Sequence, residues 1–95
     1  MDRRREMKDL VIRVKEIKER CGANLKVGDV FYIRGYGKIE IPEGKFTCIY
    51  ALNALMPFLT AKQREEELPE DDWIAETREL VCPDPKGVVF EIETL

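Results

Sequence analysis

Three cysteines are the residues of this 95-residue chain whose chemistry stands out. Cys21 precedes Gly22 in a predicted loop, Cys48 lies in the first turn of a predicted helix, and Cys82 ends a predicted strand. Thiolates from three separate segments suit a soft metal such as zinc, or an iron–sulfur cluster with one ligand position left open. One prediction is therefore a shared metal site formed by Cys21, Cys48 and Cys82.

The same cysteines have two other interpretations. No C-x-x-C pair is present, and the separations of 27 and 34 residues match no zinc or ferredoxin pattern. Free cysteine is often buried, and Cys48 shares a helical stripe with Leu52 and Leu55, so packing alone also explains it. Alternatively, Cys48 is a reactive thiol, because a helix N-terminus stabilises a thiolate when the side chain is exposed.

The absence of histidine limits the chemistry further. It removes the commonest general base and the usual partner of a catalytic serine or cysteine. We therefore favour an accessory protein that binds metal over an enzyme. The alternatives are an interaction module with structural cysteines, working as a homo-oligomer or with a protein partner through an exposed sheet edge or apolar patch, and a thiol-dependent enzyme.

Composition and charge restrict the class of protein. The chain is 44% hydrophobic and 37% charged, which is typical of one globular domain spanning residues 1–95. Its net charge is −3 and its last 35 residues hold eleven acidic against four basic residues, which argues against nucleic-acid binding. With no long apolar run, no secretory signal and an odd number of cysteines, we expect no membrane segment and a cytoplasmic location.

The predicted elements are strands around one helix. Alternation predicts a strand over residues 9–17, with a turn at residues 26–29, a strand at 30–33, a turn at 35–37 and a short strand at 39–41. Residues 79–82 and 88–92 predict a closing hairpin with Val88, Phe90 and Ile92 facing inward. Residues 1–8 are expected to form a flexible N-terminus.

The central helix is predicted to begin at Thr47 as its N-cap. Five residues form its apolar stripe at helical spacing, namely Cys48, Leu52, Leu55, Met56 and Leu59. Pro57 is expected to kink or end it. The fold class is therefore α+β, with a small antiparallel or mixed β-sheet packed against one central, Pro-kinked helix.

The order of motifs resembles a family of short bacterial and archaeal proteins with no established activity. The matching pieces are Cys21, Lys26-Val27-Gly28-Asp29-x-Phe31, Pro42-Glu43-Gly44-x-x-x-Cys48, Ala51-Leu52-x-Ala54-Leu55, and Cys82 ahead of Val89-Phe90-Glu91-Ile92. The resemblance implies a single domain with cysteines at these three places. It implies no reaction. Some members have His immediately before the Lys-Val-Gly-Asp motif, where this chain has Leu25.

Overall fold

A computed structural model describes residues 7–69 and 71–95 of the chain. Its regular elements in chain order are β1 (Leu10–Ile17), β2 (Val30–Arg34), β3 (Lys38–Glu40), α1 (Ile49–Gln63), a 3-10 turn (Glu65–Glu67), α2 (Trp73–Glu76), β4 (Glu79–Val81) and β5 (Val88–Thr94). The predicted flexible N-terminus falls largely on residues 1–6, which lie outside the described residues.

The sheet has five strands in the order β3-β2-β1-β5-β4, and every neighbouring pair is antiparallel. Strand β1 lies at the centre because it pairs with β2 on one side and with β5 on the other. The predicted α+β class and the antiparallel alternative for the sheet are therefore confirmed. The described part of the chain has two α-helices rather than one.

Strand β1 shows why the sheet has one apolar face. Leu10, Ile12 and Val14 are at most 3% exposed, whereas the alternate residue Lys15 is exposed. Successive side chains of a strand point to opposite faces, so one face packs on the helix and the other carries the charged side chains, with Val11 on that second face also buried at 5% exposed. The predicted inward residues of the hairpin, Val88, Phe90 and Ile92, belong to the same core.

Helix α1 covers this apolar face. Its buried apolar residues are Ala51, Leu55 and Leu59, which follow one another at intervals of four. The predicted stripe was partly wrong, because Met56 is 48% exposed. The helix continues through Pro57 to Gln63 and does not end there; the kink stays a prediction.

The helix begins one residue later than predicted. Cys48 rather than Thr47 is the N-cap, with an extended backbone at φ −98° and ψ 130° and no side-chain capping hydrogen bond. The first intrahelical bond runs from the Leu52 amide to the Cys48 carbonyl at 2.9 Å. The sequence pattern therefore located the helix but assigned its cap to the wrong neighbour.

Turns and loops bring the remaining segments into place. Gly28 has φ 95°, and the Asp29 carboxylate accepts a hydrogen bond from the Lys26 amide at 3.0 Å, as the turn prediction requires. At the start of α2, the Asp72 carboxylate caps the helix by accepting a hydrogen bond from the Ile74 amide at 2.9 Å. Asp72 therefore defines the start of α2.

Candidate functional site: a cavity lined by three thiols

The three cysteines line one cavity of about 740 Å³, called here the thiol cavity. Its wall is drawn from three separated segments, residues 20–25, 47–51 and 82–90. The cavity lies where the loop after β1, the start of α1 and the β4–β5 turn come together. Its volume is in the range of small-molecule binding sites. Sequence reasoning therefore chose residues that the fold does bring to one place.

Each cysteine reaches the cavity from a different local structure. Cys48 occupies the N-cap of α1 and is 9% exposed, whereas Cys21 and Cys82 are partly buried against the core. The Cys21 sulfur accepts a hydrogen bond from the Leu25 amide at 3.4 Å, which fixes its side chain within the loop. All three thiols are free, with no disulfide between them.

The loop and the β4–β5 turn are joined to each other by main-chain hydrogen bonds. The Lys18 amide donates to the Gly87 carbonyl at 2.8 Å, and the Glu19 and Arg20 amides both donate to the Lys86 carbonyl, at 2.9 and 3.2 Å. The segments that carry Cys21 and Cys82 therefore form one connected part of the wall. Cys48 belongs to another part, because it is carried by α1.

A charged pair strengthens this part of the wall. Arg20 donates from Nε to Asp84 Oδ2 at 2.8 Å and from Nη2 to Oδ1 at 3.2 Å, which is a two-point contact. The Lys86 amide also donates to Asp84 at 3.0 Å. Arg20 first and the Lys86 amide second hold the pKa of the Asp84 carboxyl below its usual value. Asp84 is thus ionised at neutral pH, and the pair contributes no net charge to the cavity.

The start of α1 gives the cavity its other polar groups. The amides of Ile49, Tyr50 and Ala51 precede the first intrahelical hydrogen bond, and all three residues line the cavity. The Ile49 and Tyr50 side chains are 75% and 73% exposed. The site therefore combines thiols, helix-terminal amides and apolar side chains.

The thiols do not form a ready-made metal centre. Within residues 7–69 and 71–95, no group of three or more His, Cys, Asp or Glu side chains has an arrangement that could hold a metal ion. Direct coordination of one ion needs three sulfurs at about 2.3 Å from a common centre.

Two contributors to the site were not anticipated from the sequence. The first is the ion pair between Arg20, which directly precedes Cys21, and Asp84, which stands two positions after Cys82. Their opposite charges indicate this pair only if Cys21 and Cys82 are already assumed to lie close together. Gly87 also lines the cavity, and an added Cβ there would lie 3.3 Å from the Cys82 sulfur. No spacing rule connects positions so far apart in the chain.

Comparison with known proteins adds no assignment, because no family model, curated protein or solved structure matches this chain. In the part of the chain that the structure describes, no helix is long and apolar enough to cross a membrane.

Proposed function

We propose that this domain is a binding protein that holds a small thiophilic ligand in the thiol cavity. The observation that carries the proposal is that Cys21, Cys48 and Cys82, from three separate segments, line one cavity. The candidate ligands are a soft metal ion such as zinc and an iron–sulfur cluster, since both bind thiolates. The protein would act as an accessory protein rather than as an enzyme.

The volume of the cavity favours a ligand larger than one ion. A cluster, or a metal that arrives with ligands of its own, would fill part of the space between the thiols. A single ion would instead require all three sulfurs to lie within bonding distance of one centre. The segments that carry Cys21 and Cys82 are joined through the Arg20–Asp84 pair.

The first test is the metal and acid-labile sulfide content of anaerobically purified full-length protein, together with its absorption spectrum. We expect a stoichiometric amount of metal that is lost in the Cys21→Ser, Cys48→Ser and Cys82→Ser variants alike. Cys48→Ser is the most informative of the three, because serine is a favoured N-cap residue and α1 should still form. Circular dichroism of each variant checks that it remains folded.

Titration of the metal-free protein with cadmium, followed by its thiolate absorption, gives the stoichiometry. We expect one equivalent per chain and a weakening of about tenfold or more in each single variant. A folded wild-type protein that binds neither cadmium, zinc nor iron would return the cysteines to a packing role. Equal binding by wild type and Cys48→Ser would also contradict the proposal.

The second candidate function is an interaction module. It is favoured by exposed apolar side chains beside the cavity, since Phe46 is 52% exposed and Ile49 and Tyr50 are more so. Pairing through a sheet edge is less well supported, because the edge strands β3 and β4 have three residues each. Sedimentation of the wild type and of Ile49→Lys would test it; self-association that the variant abolishes would support an interface, whereas a wild-type monomer would speak against a homo-oligomer.

A further inference from the structure

A second, polar cavity of about 240 Å³ lies on the helix side of the sheet, at the end away from the cysteines. Residues from the last turn of α1, from α2 and its following residues, and from the end of β5 line it. Its polar side chains on this side of the sheet are Lys62, Glu65, Arg78 and Thr94. None of these residues belongs to the thiol cavity, so the two cavities are independent sites.

Lys62 is the buried charge of this cavity. Its side chain is only 8% exposed, and its ammonium group donates to the Ala75 carbonyl at 3.0 Å and lies 2.8 Å from Glu65 Oε2. A lysine ammonium carries three N–H donors, so these contacts use at most two of them. Within the described residues the third donor has no partner, although an unsatisfied buried donor is costly.

Arg78 supplies a second cation at the same cavity. Its guanidinium makes no ion pair or hydrogen bond with any residue that the structure describes. The carboxylate of Glu93 does not neutralise it, because Glu93 accepts from Arg13 at 2.7 Å on the opposite face of the sheet. Among the side chains on the helix side, Lys62 and Arg78 carry two positive charges against one negative charge of Glu65, while the Glu93 carboxylate shares Arg13 with Glu91 on the opposite face.

We propose that this cavity binds a small carboxylate. The planar Arg78 guanidinium matches the two oxygens of a carboxylate, and Lys62, which lines the same cavity, has a further N–H donor to offer. One excess positive charge suits a monoanion. A phosphate dianion would leave negative charge uncompensated beside Glu65, so phosphate should bind less well.

A purely structural role explains only part of this arrangement. The contacts of Lys62 with Ala75 and Glu65 tie α1 to α2 and account for its burial. They do not account for the cavity itself, for the third donor or for the unpaired Arg78. A bound carboxylate would accept hydrogen bonds from both the third Lys62 donor and Arg78.

The test is an NMR titration of the full-length protein with sodium acetate, following the backbone amides of Ala75, Arg78 and Thr94. Sodium chloride at matched ionic strength serves as the reference, and inorganic phosphate as the competing anion. We expect saturable shifts with acetate that chloride does not reproduce, and weaker binding of phosphate. Arg78→Gln should weaken acetate binding about tenfold.

Arg64→Gln is the matched control, because Arg64 is an exposed arginine at the C-terminal end of α1 that does not line the cavity. It should bind acetate like the wild type. Absence of saturation, equal shifts with chloride, tighter binding of phosphate, or unchanged binding by Arg78→Gln would each overturn the proposal. Since Arg78 is exposed, its replacement should leave the fold intact, and the amide spectrum checks this directly.

Discussion

At the scale of single residues, Asp84 connects two segments of the wall of the thiol cavity. It receives two hydrogen bonds from Arg20 and one from the Lys86 amide, and it stands two positions after Cys82. All of these bonds favour the ionised carboxylate. Protonation of Asp84 should therefore weaken the connection between the loop that carries Cys21 and the turn that carries Cys82.

Asp84→Asn should change how stability depends on pH. Because the pKa of Asp84 is lowered in the folded protein, its ionised form contributes stability above the unfolded pKa of about 3.9. That contribution is lost as the pH falls through the folded pKa. We expect the wild type to be more stable than Asp84→Asn in urea at neutral pH, with a difference that shrinks below about pH 4.

The comparison with the variant isolates Asp84 from the other acids. Asp9, Asp29 and Glu66 also have lowered pKa values, but they are present in both proteins and cancel in the difference. A difference between the two proteins that stays constant down to about pH 2 would contradict the assignment. A stability difference that disappears at a pH above the usual pKa range of a carboxyl group would contradict the assignment as well.

The sequence identified the three cysteines as candidate residues, but it could not give the distances between their side chains. Their residue type and their positions at the ends of predicted elements made them candidates for a shared site. Whether three side chains from distant segments converge depends on strand order and on the path of α1. Neither the strand order nor the path of α1 can be derived from short sequence patterns. The sharing of one cavity, and the lack, within residues 7–69 and 71–95, of an arrangement fit for one metal ion, both required the fold.

At the scale of elements, the sequence predicted best where packing and local preference agree. The alternating residues of β1 and β5 and the glycine turns lie as expected, because each pattern is repeated within a few residues. Helix α1 differs from the prediction in its N-cap residue and in the exposure of one residue of its predicted apolar stripe. Its contact with the sheet follows residues four apart, so Met56 falls beside the contact and remains exposed.

The β4–β5 turn offers a prediction about close packing. A Cβ at Gly87 would lie 3.1 Å from the Asp84 carbonyl oxygen and 3.3 Å from the Cys82 sulfur, whereas a Cβ at Gly22 meets nothing within 4 Å. Gly87→Ala should destabilise the protein by about 1 kcal/mol, because crowding outweighs the entropy gained in the unfolded chain. Gly22→Ala should be neutral or slightly stabilising.

Thermal unfolding of both glycine variants checks this prediction. Both residues line the thiol cavity, so the pair separates the effect of crowding from that of merely adding a methyl group to the cavity wall. Alkylation of Cys82 gives a second measurement, since the new methyl group should slow it only in Gly87→Ala. Equal melting temperatures for the two variants would show that the turn relaxes without cost.

At the scale of the whole molecule, the two faces of the sheet have opposite characters. One is covered by α1, and the other carries rows of paired charges. Glu79 of β4 lies directly opposite Glu91 of β5, and this like-charge pair is balanced by Lys15 and Arg13 of β1. Charges of both signs on the open face, with short strands at both edges, disfavour stacking or edge pairing of this sheet.

Arg13 is the centre of that open face, so its replacement should reveal how much the charge balance contributes. It lies 2.9 Å from Glu91 and 2.7 Å from Glu93, and Arg13→Gln would leave these two carboxylates without their cation. We expect a loss of about 1 kcal/mol in the free energy of unfolding at low salt. The loss should become smaller in concentrated sodium chloride, because salt screens the repulsion between exposed carboxylates.

Adding Glu91→Gln to the variant should restore part of the stability by removing one of the two charges. Urea unfolding of the wild type and of the single and double variants at both salt concentrations measures these effects. A loss that neither salt nor the second substitution reduces would assign the role of Arg13 to packing of its aliphatic stem on the sheet rather than to its charge.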